Sequence, residues 1–254
     1  MRDFLDISGA LGLPEAASAH AGDIDYMMAL VHWLMLLMFV GWGAYFIYVL
    51  IRFRKSKQAT ASYEGTSGKY SKYQEAGVIL AEATLLVVFA FPIWGTLKND
   101  FPAAEEAFEI DVIAEQFAWN IHYPGPDGVL GKRDIDLIDL VSNPVGLDKS
   151  DPAAADDVTT VNELHLPINR AIILRLTSKD VIHSFGVPQL RIKQDAIPGL
   201  EIPIWFTPNR SGEFEIACAQ LCGLSHYRMR GYVTVESQAE VDSWLQQLSE
   251  ENAL

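Results

Sequence analysis

Two long apolar stretches near the start of the chain decide its fold. Residues 26–51 read YMMALVHWLMLLMFVGWGAYFIYVLI, and residues 75–97 read EAGVILAEATLLVVFAFPIWGTL. As α-helices they would reach roughly 39 and 34 Å, which is enough to span a hydrocarbon core of about 30 Å. A pair of buried helices in a soluble core is the alternative, but such helices rarely run this long without charge. The sequence therefore predicts two transmembrane helices, at about 26–51 and 75–97.

The charges that flank these stretches predict how the chain crosses a membrane. The connecting loop, residues 52–74, carries six basic residues against one acid, Glu64. The first 25 residues carry five acids against one base, Arg2. Because cytoplasmic loops are enriched in Lys and Arg, we expect this loop in the cytoplasm and both termini outside.

This orientation divides the chain into three parts. We expect an N-terminal extracytoplasmic segment (1–25), a transmembrane hairpin (26–98) and an extracytoplasmic domain (99–254). Small residues at 16–21 are compatible with a processing site, so N-terminal processing stays open at this stage.

The charge balance narrows the classes of partner. The 254-residue chain has a formal net charge of −14, and residues 99–254 carry the whole imbalance. A nucleic-acid binder needs a basic surface, so that class is excluded. An acidic outer domain would attract a basic partner with strong salt dependence, although the same charge also serves plain solubility.

The outer domain has the pattern of an all-β sandwich. Short segments rich in β-branched and aromatic residues alternate with turn signals such as PGPDG at 124–128. The predicted strands are 108–114, 172–177, 200–206, 212–217 and 231–236. Residues 141–157 are interpreted as a surface insertion, and the apolar spacing at 238–248 predicts a short C-terminal helix.

One segment of this domain concentrates metal-binding side chains. Residues 218–229 read CAQLCGLSHYRM, which brings Cys218, Cys222, His226 and Met229 together within twelve residues. Thiolate, imidazole and thioether ligands together select copper over hard cations. His183, a polar residue in an apolar stretch, is the best candidate for a further imidazole. Two thiolates can bridge two metals, and a closed ligand set of this kind suits electron transfer.

Other interpretations of these residues remain open. The two cysteines could form a disulfide outside the cytoplasm, but a disulfide leaves His226 and Met229 unexplained. Zinc is disfavoured because Met is a poor zinc ligand. The remaining histidines lack a Cys or Met neighbour at ligand spacing and are interpreted as ordinary surface or membrane-interface residues: His20, His32, His122 and His165.

Nearly the whole chain resembles subunit II of haem–copper cytochrome c oxidases. In that family a two-helix hairpin precedes a cupredoxin-like Greek-key sandwich with a binuclear copper centre called CuA. The family pattern, a His followed by C-x-x-x-C-x-x-x-H-x-x-M, matches this sequence, as do DVIHSF at 180–185 and KQDAIPG at 193–199. The resemblance implies these copper ligands: His183, Cys218, the backbone carbonyl of Gln220, Cys222, His226 and Met229.

The sequence departs from the family at two positions. The family usually has Glu at the position of Gln220, where the side chain helps to hold magnesium at the boundary with subunit I, so that magnesium site stays open here. The family also has a tryptophan where electrons enter from cytochrome c, and Phe117 takes that position, with Trp119 nearby. The alternative is that both rings are ordinary core residues.

A glutamate on the second helix of the family lies at the mouth of a proton channel. Glu82 is similarly placed in this sequence, and Glu75 is the alternative. An ionisable residue inside a membrane helix is a functional candidate by default, which favours Glu82.

The resemblance implies a multi-pass subunit of a bacterial inner membrane, with the C-terminal domain on the periplasmic side. It would accept electrons from cytochrome c at CuA and pass them to haem in subunit I, where oxygen is reduced to water and protons are translocated. No C-x-x-C-H motif is present, so the donor would be a separate haem protein. A nitrous-oxide reductase relative, a copper-free quinol oxidase subunit and a membrane-anchored copper carrier are the alternatives.

Overall fold

The structure is a computed structural model that describes residues 5–58, 60, 61, 63 and 68–252. Arg2 and Glu64, which enter the charge argument above, lie outside the described residues. The chain divides into two compact units. Unit 1 comprises Met1–Leu13 and Asp23–Thr96, and unit 2 comprises Pro14–Gly22 and Leu97–Leu254.

Unit 1 is built on two long helices. Helix α1 covers Ala21–Arg52, and helix α2 covers Lys69–Asn99 with a π-helical segment at Leu85–Ala90. Both begin earlier than the apolar stretches predict, because polar residues extend the helices beyond the apolar windows. In α1, Asp23 in the first turn and Arg52 in the last turn suit the helix dipole.

The apolar side chains of these helices are largely exposed within the chain. Leu37 and Phe39 of α1 are 69% and 77% exposed, for example. Among the described residues, these two helices are long and apolar enough to cross a membrane. Apolar surface of this extent requires lipid or partner helices to cover it. The predicted pair of apolar N-terminal helices is therefore confirmed.

Unit 2 is a β-sandwich. In its described part, ten strands form two five-stranded sheets, ordered β3-β2-β1-β5-β8 and β4-β10-β9-β6-β7. The strands are β1 Ala107–Glu115, β2 Ala118–Tyr123, β3 Val158–Val161, β4 Glu163–Pro167, β5 Ala171–Ser178, β6 His183–Val187, β7 Ile192–Ala196, β8 Ile202–Phe206, β9 Gly212–Cys218 and β10 Arg230–Glu236. Helix α3, Gln238–Asn252, ends the described chain.

The core lies between the two sheets. Alternating residues of β1 and β2 point inward, including Ile110, Val112, Trp119 and Ile121, and meet residues such as Phe185 from the other sheet. Pairs β1–β5 and β4–β10 are parallel, and the other strand pairs are antiparallel. The predicted fold class, two apolar helices followed by a β-sandwich and a short C-terminal helix, is confirmed. The five segments predicted as strands from the sequence correspond to β1, β5, β8, β9 and β10.

The long connection between β2 and β3 covers one outer face of the sandwich. Val145, Leu147 and Ala154 bury against Ile113 of β1 and form a small second core. Residues 141–157, interpreted as a surface insertion, thus also contribute buried side chains to this second core. Because the connection shields the outer face of β1 and β2, even polar residues that point away from the main core are buried there.

A short N-terminal segment belongs to the sandwich. We call Pro14–Gly22 the N-terminal strap, because it packs in unit 2, whereas α1 from Asp23 onward belongs to unit 1. Ala17 N–H donates to Gln189 O (2.8 Å), Ala19 N–H donates to Thr207 O (2.9 Å), and Ala17 is fully buried in the main core. The Ser18 hydroxyl donates to Leu190 O at 2.7 Å. This contact could not be predicted from the sequence, since the segment is short and has no periodicity.

Candidate metal centre

The second sheet brings distant metal-binding side chains to one end of the sandwich. His183 is the first residue of β6, Cys218 is the last residue of β9, and Met229 directly precedes β10. The pairing of β6 with β9 places Phe185 opposite Cys218, and Cys218 N–H donates to Met229 O at 3.3 Å. We call residues 218–229 the metal loop. The strands β9 and β10 therefore fix the positions of the two ends of the metal loop, and β6 fixes the position of His183.

Hydrogen bonds within the metal loop position its middle. A 3₁₀ turn covers His226–Arg228, with His226 N–H donating to Gly223 O (3.1 Å) and Met229 N–H donating to His226 O (3.1 Å). This turn directs the His226 ring toward Cys222, and the Cys222 Sγ to His226 Nδ1 distance is 3.5 Å.

The five predicted side-chain ligands converge on the two sulfur atoms. Cys218 Sγ lies 3.8 Å from Cys222 Sγ, 3.9 Å from His183 Nδ1 and 3.2 Å from the Gln220 carbonyl oxygen. Met229 Sδ lies 3.8 Å from Cys222 Sγ and 3.1 Å from His183 Nδ1. The structure thus brings His183, Cys218, Cys222, His226 and Met229 together, with the Gln220 carbonyl beside them.

The two thiols differ in their acidity. Burial raises the pKa of Cys218, but hydrogen bonds with His183 and with the backbone of Ser184 and Gln220 outweigh burial and lower this pKa to about 6. Burial and the neighbouring Cys218 raise the pKa of Cys222 to about 11. Cys218 is therefore the more acidic of the two thiols. A metal ion would favour the deprotonated form of both, because thiolates are the ligating form.

Asp180 fixes the orientation of His183. The His183 ring is buried, and its Nε2 lies 2.8 Å from Asp180 Oδ1. Burial lowers the pKa of His183, but hydrogen bonds with Cys218 and Asp180 outweigh this effect and raise it. Because Asp180 occupies Nε2, Nδ1 is directed at the sulfur atoms, as is usual for a metal-binding histidine. Asp180 stands three residues before His183, a spacing that could have predicted this contact.

The donor set fits a soft metal ion. The cysteines are free, and their sulfurs, at 3.8 Å, are far beyond a disulfide bond of about 2.05 Å. Metal–sulfur bonds are about 2.3 Å long, so both sulfurs can bind the same ion. His183, Cys218 and Cys222 offer ligand atoms within 4.8 Å of one another. Sulfur and imidazole donors with a thioether favour copper over magnesium or calcium.

Gln220 contributes its backbone rather than its side chain. Its carbonyl oxygen faces Cys218 Sγ, while the residue itself is exposed. The carbonyl, rather than the amide side chain, is therefore the part of Gln220 that meets the cysteines.

The two aromatic candidates occupy different environments. Trp119 is fully buried, and its ring packs edge-on against Phe185 (5.4 Å between centroids) and His183 (6.2 Å). Phe117 is half-buried and lies beside Gly223 of the metal loop. Of the two, Phe117 is thus open to a partner while touching the metal loop.

The remaining candidates are two glutamates of unit 1 and two histidines of unit 2. Glu82 and its alternative Glu75 are both exposed residues of α2. His122 and His165 were interpreted from the sequence as ordinary surface or membrane-interface residues, and the structure shows that both have specific partners. His122 is fully buried between Asp111 and Asp157, because the β2–β3 connection covers it. His165 stacks on Trp244 at 3.8 Å and pairs with Glu236.

Comparisons with known proteins show which family this chain is similar to. The family described as "Cytochrome C oxidase subunit II, periplasmic domain" matches residues 108–237. The chain is 34% identical over 227 residues to an alternative cytochrome c oxidase subunit 2 of Bradyrhizobium diazoefficiens, covering 89% of this chain and 80% of the relative. It is 30% identical to a heme-copper oxidase subunit 2 of Aeropyrum pernix, covering 83% of this chain and 86% of the relative.

A solved structure shows the same similarity. The crystal structure of the periplasmic domain of cytochrome oxidase subunit II of Bradyrhizobium japonicum is 29% identical, with a TM-score of 0.43, and covers 59% of this chain and 97% of that chain. The family match spans more than half of the sequence, and the first relative matches across most of both chains. The chain therefore belongs to the cytochrome c oxidase subunit II family.

Proposed function

We propose that this chain is the subunit through which electrons enter a respiratory terminal oxidase. It accepts electrons from cytochrome c at a binuclear copper centre of the CuA type and passes them to haem in subunit I, where oxygen is reduced to water with proton translocation. The convergence of two thiols, two imidazoles and a thioether on one metal loop carries this proposal. When bound, the copper pair supplies reversible one-electron oxidation and reduction.

The chain's own residues would hold the metal pair. Cys218 and Cys222 would bind it through their sulfurs, with His183 Nδ1 beside Cys218 Sγ and His226 Nδ1 beside Cys222 Sγ. The Met229 thioether and the Gln220 carbonyl would be the weaker ligands. His183, Cys222 and Met229 are buried and three strands anchor the set, which limits the access of water to these three ligands. A rigid and closed ligand set suits electron transfer rather than substrate chemistry.

Phe117 is the proposed contact for the electron donor, with Trp119 behind it. Phe117 is partly exposed and touches the metal loop at Gly223, whereas Trp119 packs on His183 inside the sandwich. Replacing Phe117 by Leu should slow electron transfer from a reduced cytochrome c at least tenfold and leave the copper spectrum unchanged. An unchanged rate in stopped-flow measurements would move the contact to Trp119 or elsewhere.

The proposed donor is a basic protein. The acidic excess of residues 99–254 would attract a positively charged cytochrome and orient it before contact. Subunit I, other oxidase subunits and the lipid bilayer of the bacterial inner membrane are the remaining proposed partners. In this arrangement the sandwich lies on the periplasmic side.

Glu82 is the proposed residue at the mouth of a proton channel shared with subunit I. It is a carboxyl group within an apolar helix and exposed within this chain, so a partner or water has to solvate it. In the assembled oxidase, Glu82→Gln should lower proton-coupled oxygen turnover without altering the copper spectrum. An effect of Glu75→Gln instead of Glu82→Gln would favour the alternative.

Copper loading of the full chain tests the proposed function. The detergent-solubilised chain should bind two copper ions and show a purple mixed-valence absorption and electron paramagnetic resonance signal. Cys222→Ser should abolish that signal. Leu224→Ala is the matched control, because Leu224 lies on the same loop and is 97% exposed.

Two outcomes would contradict the proposal. Binding of one copper ion or none by the folded wild-type chain would exclude a CuA centre. Rapid release of both ions to a chelator would instead favour a copper carrier, because an electron-transfer centre has to retain its metal.

A further inference from the structure

Gln116 joins the metal loop to two other segments of the chain. It lies in the turn between β1 and β2, and its backbone N–H donates to Asp180 Oδ2 at 2.7 Å. Its side-chain Nε2 donates to the Cys222 carbonyl oxygen at 2.6 Å. Asp180 also holds His183. One residue outside the metal loop thus contacts both Cys222 and the residue that orients His183.

Gly223 makes this close contact with Gln116 possible. A Cβ at this position would lie 2.6 Å from Gln116 Nε2 and 3.1 Å from Phe117 Cζ. The Gly223 φ of +143° also lies in a region that favours glycine. The amide of Gln116 and the ring of Phe117 therefore cover the Cys222–Gly223 peptide side by side, and a larger residue at 223 would push both away.

The contact constrains a sulfur ligand and an aromatic ring at once. Fixing the Cys222 carbonyl fixes the backbone that carries Cys222 Sγ, which faces His226 Nδ1 at 3.5 Å and Met229 Sδ at 3.8 Å. Phe117 directly follows Gln116, so its ring is placed relative to Cys222 by the same amide. A neutral hydrogen bond contributes only about 1 kcal/mol, so its loss should leave copper bound while moving the ligand.

We propose that Gln116 is a positioning residue that sets Cys222 and Phe117 relative to each other through its hydrogen bond to the Cys222 carbonyl. This inference rests on the proposed function, since it takes the metal loop to hold copper. The position of a sulfur ligand affects the absorption bands and the hyperfine pattern of a copper centre. The spectrum of the bound metal is therefore the direct measure of this contact.

Two variants of the full chain test the proposal. Gln116→Leu removes the donor and keeps a side chain of similar size, and Gln116→Glu keeps the shape but turns an acceptor toward the carbonyl. Both should bind two copper ions with shifted absorption bands and an altered hyperfine pattern. Release of copper to a chelator should be about fivefold faster for Gln116→Leu, as expected for the loss of about 1 kcal/mol, and faster still for Gln116→Glu. Gln247→Leu, at an exposed glutamine of α3, is the matched control and should behave as the wild type.

The outcomes separate this inference from the proposed function. If the wild-type chain shows no two-copper spectrum, the proposed function fails and the inference fails with it. If the wild type shows that spectrum and both variants share its bands, hyperfine pattern and release rate, Gln116 does not position the centre, while the function stands. A lower melting temperature with an unchanged spectrum would likewise overturn the positioning role. If circular dichroism shows that Gln116→Leu does not fold, the spectrum of Gln116→Glu decides.

Discussion

Two buried histidines of the sandwich, His183 and His122, share the same partner type at Nε2 but differ in the groups that face Nδ1. Each ring is fully buried and has an aspartate on Nε2: Asp180 at 2.8 Å from His183 and Asp157 at 2.6 Å from His122. The difference lies at Nδ1, which faces the sulfurs of Met229 and Cys218 in His183 but the Asp111 carboxylate, at 3.4 Å, in His122. Burial and a carboxylate partner therefore do not identify a metal ligand. The group that faces the second ring nitrogen, Nδ1, distinguishes the candidate metal ligand from the structural histidine.

The His122 cluster has a structural role. Asp157 also accepts hydrogen bonds from the N–H groups of Gly131 (2.8 Å) and Gly125 (3.3 Å), and Asp111 accepts one from Arg133 Nε at 2.6 Å. These contacts tie the β2–β3 connection to the outer face of the first sheet. Since both imidazole nitrogens face carboxylates, His122 has no ring nitrogen left for a metal.

The largest contrast is expected when each histidine is truncated in turn. His183→Ala should abolish the purple mixed-valence spectrum and reduce bound copper from two ions to one or none, because it removes a ligand from a closed set. His122→Ala should keep two copper ions and the spectrum. Metal analysis and absorption spectroscopy of both variants measure this difference. Retention of the spectrum in His183→Ala, or its loss in folded His122→Ala, would remove the distinction between the two sites.

The second effect concerns stability. His122→Ala leaves Asp111 and Asp157 as buried carboxylates that have lost a partner, and breaking a buried ion pair in this way costs about 3–5 kcal/mol. The free energy of unfolding, measured by denaturant titration of the full chain, should fall by about that amount. His165→Ala is the control and should cost only about 1–2 kcal/mol, because that pair is partly exposed. Equal losses for the two variants would argue against a special role for the His122 cluster.

A smaller effect is expected in the pH dependence of stability. Burial lowers the pKa of His122, but hydrogen bonds and charges of Asp111 and Asp157 outweigh burial and raise it above 6.5. Burial raises the pKa of Asp111, but His122 and Arg133 outweigh burial and lower it below 3.8. The His122 contribution is therefore complete below pH 6.5 and is lost as the pH rises through the folded pKa. The Asp111 contribution is complete above pH 3.8 and is lost as the pH falls through its folded pKa.

The variant His122→Gln tests this sign. In the wild type, the free energy of unfolding should decrease as the pH rises above 6.5, and in His122→Gln this part of the decrease should disappear. Denaturant titrations at several pH values above 6 measure both slopes. Parallel pH profiles for the two proteins would show that His122 does not titrate with unfolding.

The smallest effect is expected at Gln220. Its carbonyl faces Cys218 Sγ and its side chain is exposed, so Gln220→Ala should leave copper content and spectrum unchanged. Metal analysis of the full chain is again the measurement. Loss of copper would show that the amide side chain, and not only the carbonyl, contributes to the site.

The sequence was most informative where the chemistry is local. Cys218, Cys222, His226 and Met229 lie within twelve residues, so their spacing alone predicts a shared site. The two apolar helices were equally predictable from the sequence, because their apolar stretches are longer than those of helices in a soluble core. Only the resemblance to a family supported His183 firmly, since it joins the loop through the pairing of β6 and β9.

Contacts that depend on tertiary structure could not be predicted in the same way. Gln116 meets the Cys222 carbonyl across 106 positions of sequence, and no spacing rule links them. His122 was misinterpreted because its burial comes from a connection that has no strand or helix pattern of its own. Its partner Asp157 lies 35 residues away, at the far end of that connection.

The N-terminal strap has a practical consequence for the study of the β-sandwich in solution. Unit 2 consists of two separate pieces of the chain, Pro14–Gly22 and Leu97–Leu254. In the sequence, most of both long helices lies between these two pieces. If the chain began at residue 97, Ala17 would be missing from the core of the sandwich. The apolar surface next to β8 that the strap covers would then be exposed to water. A water-soluble version should carry those nine residues, grafted ahead of residue 97 through a flexible linker.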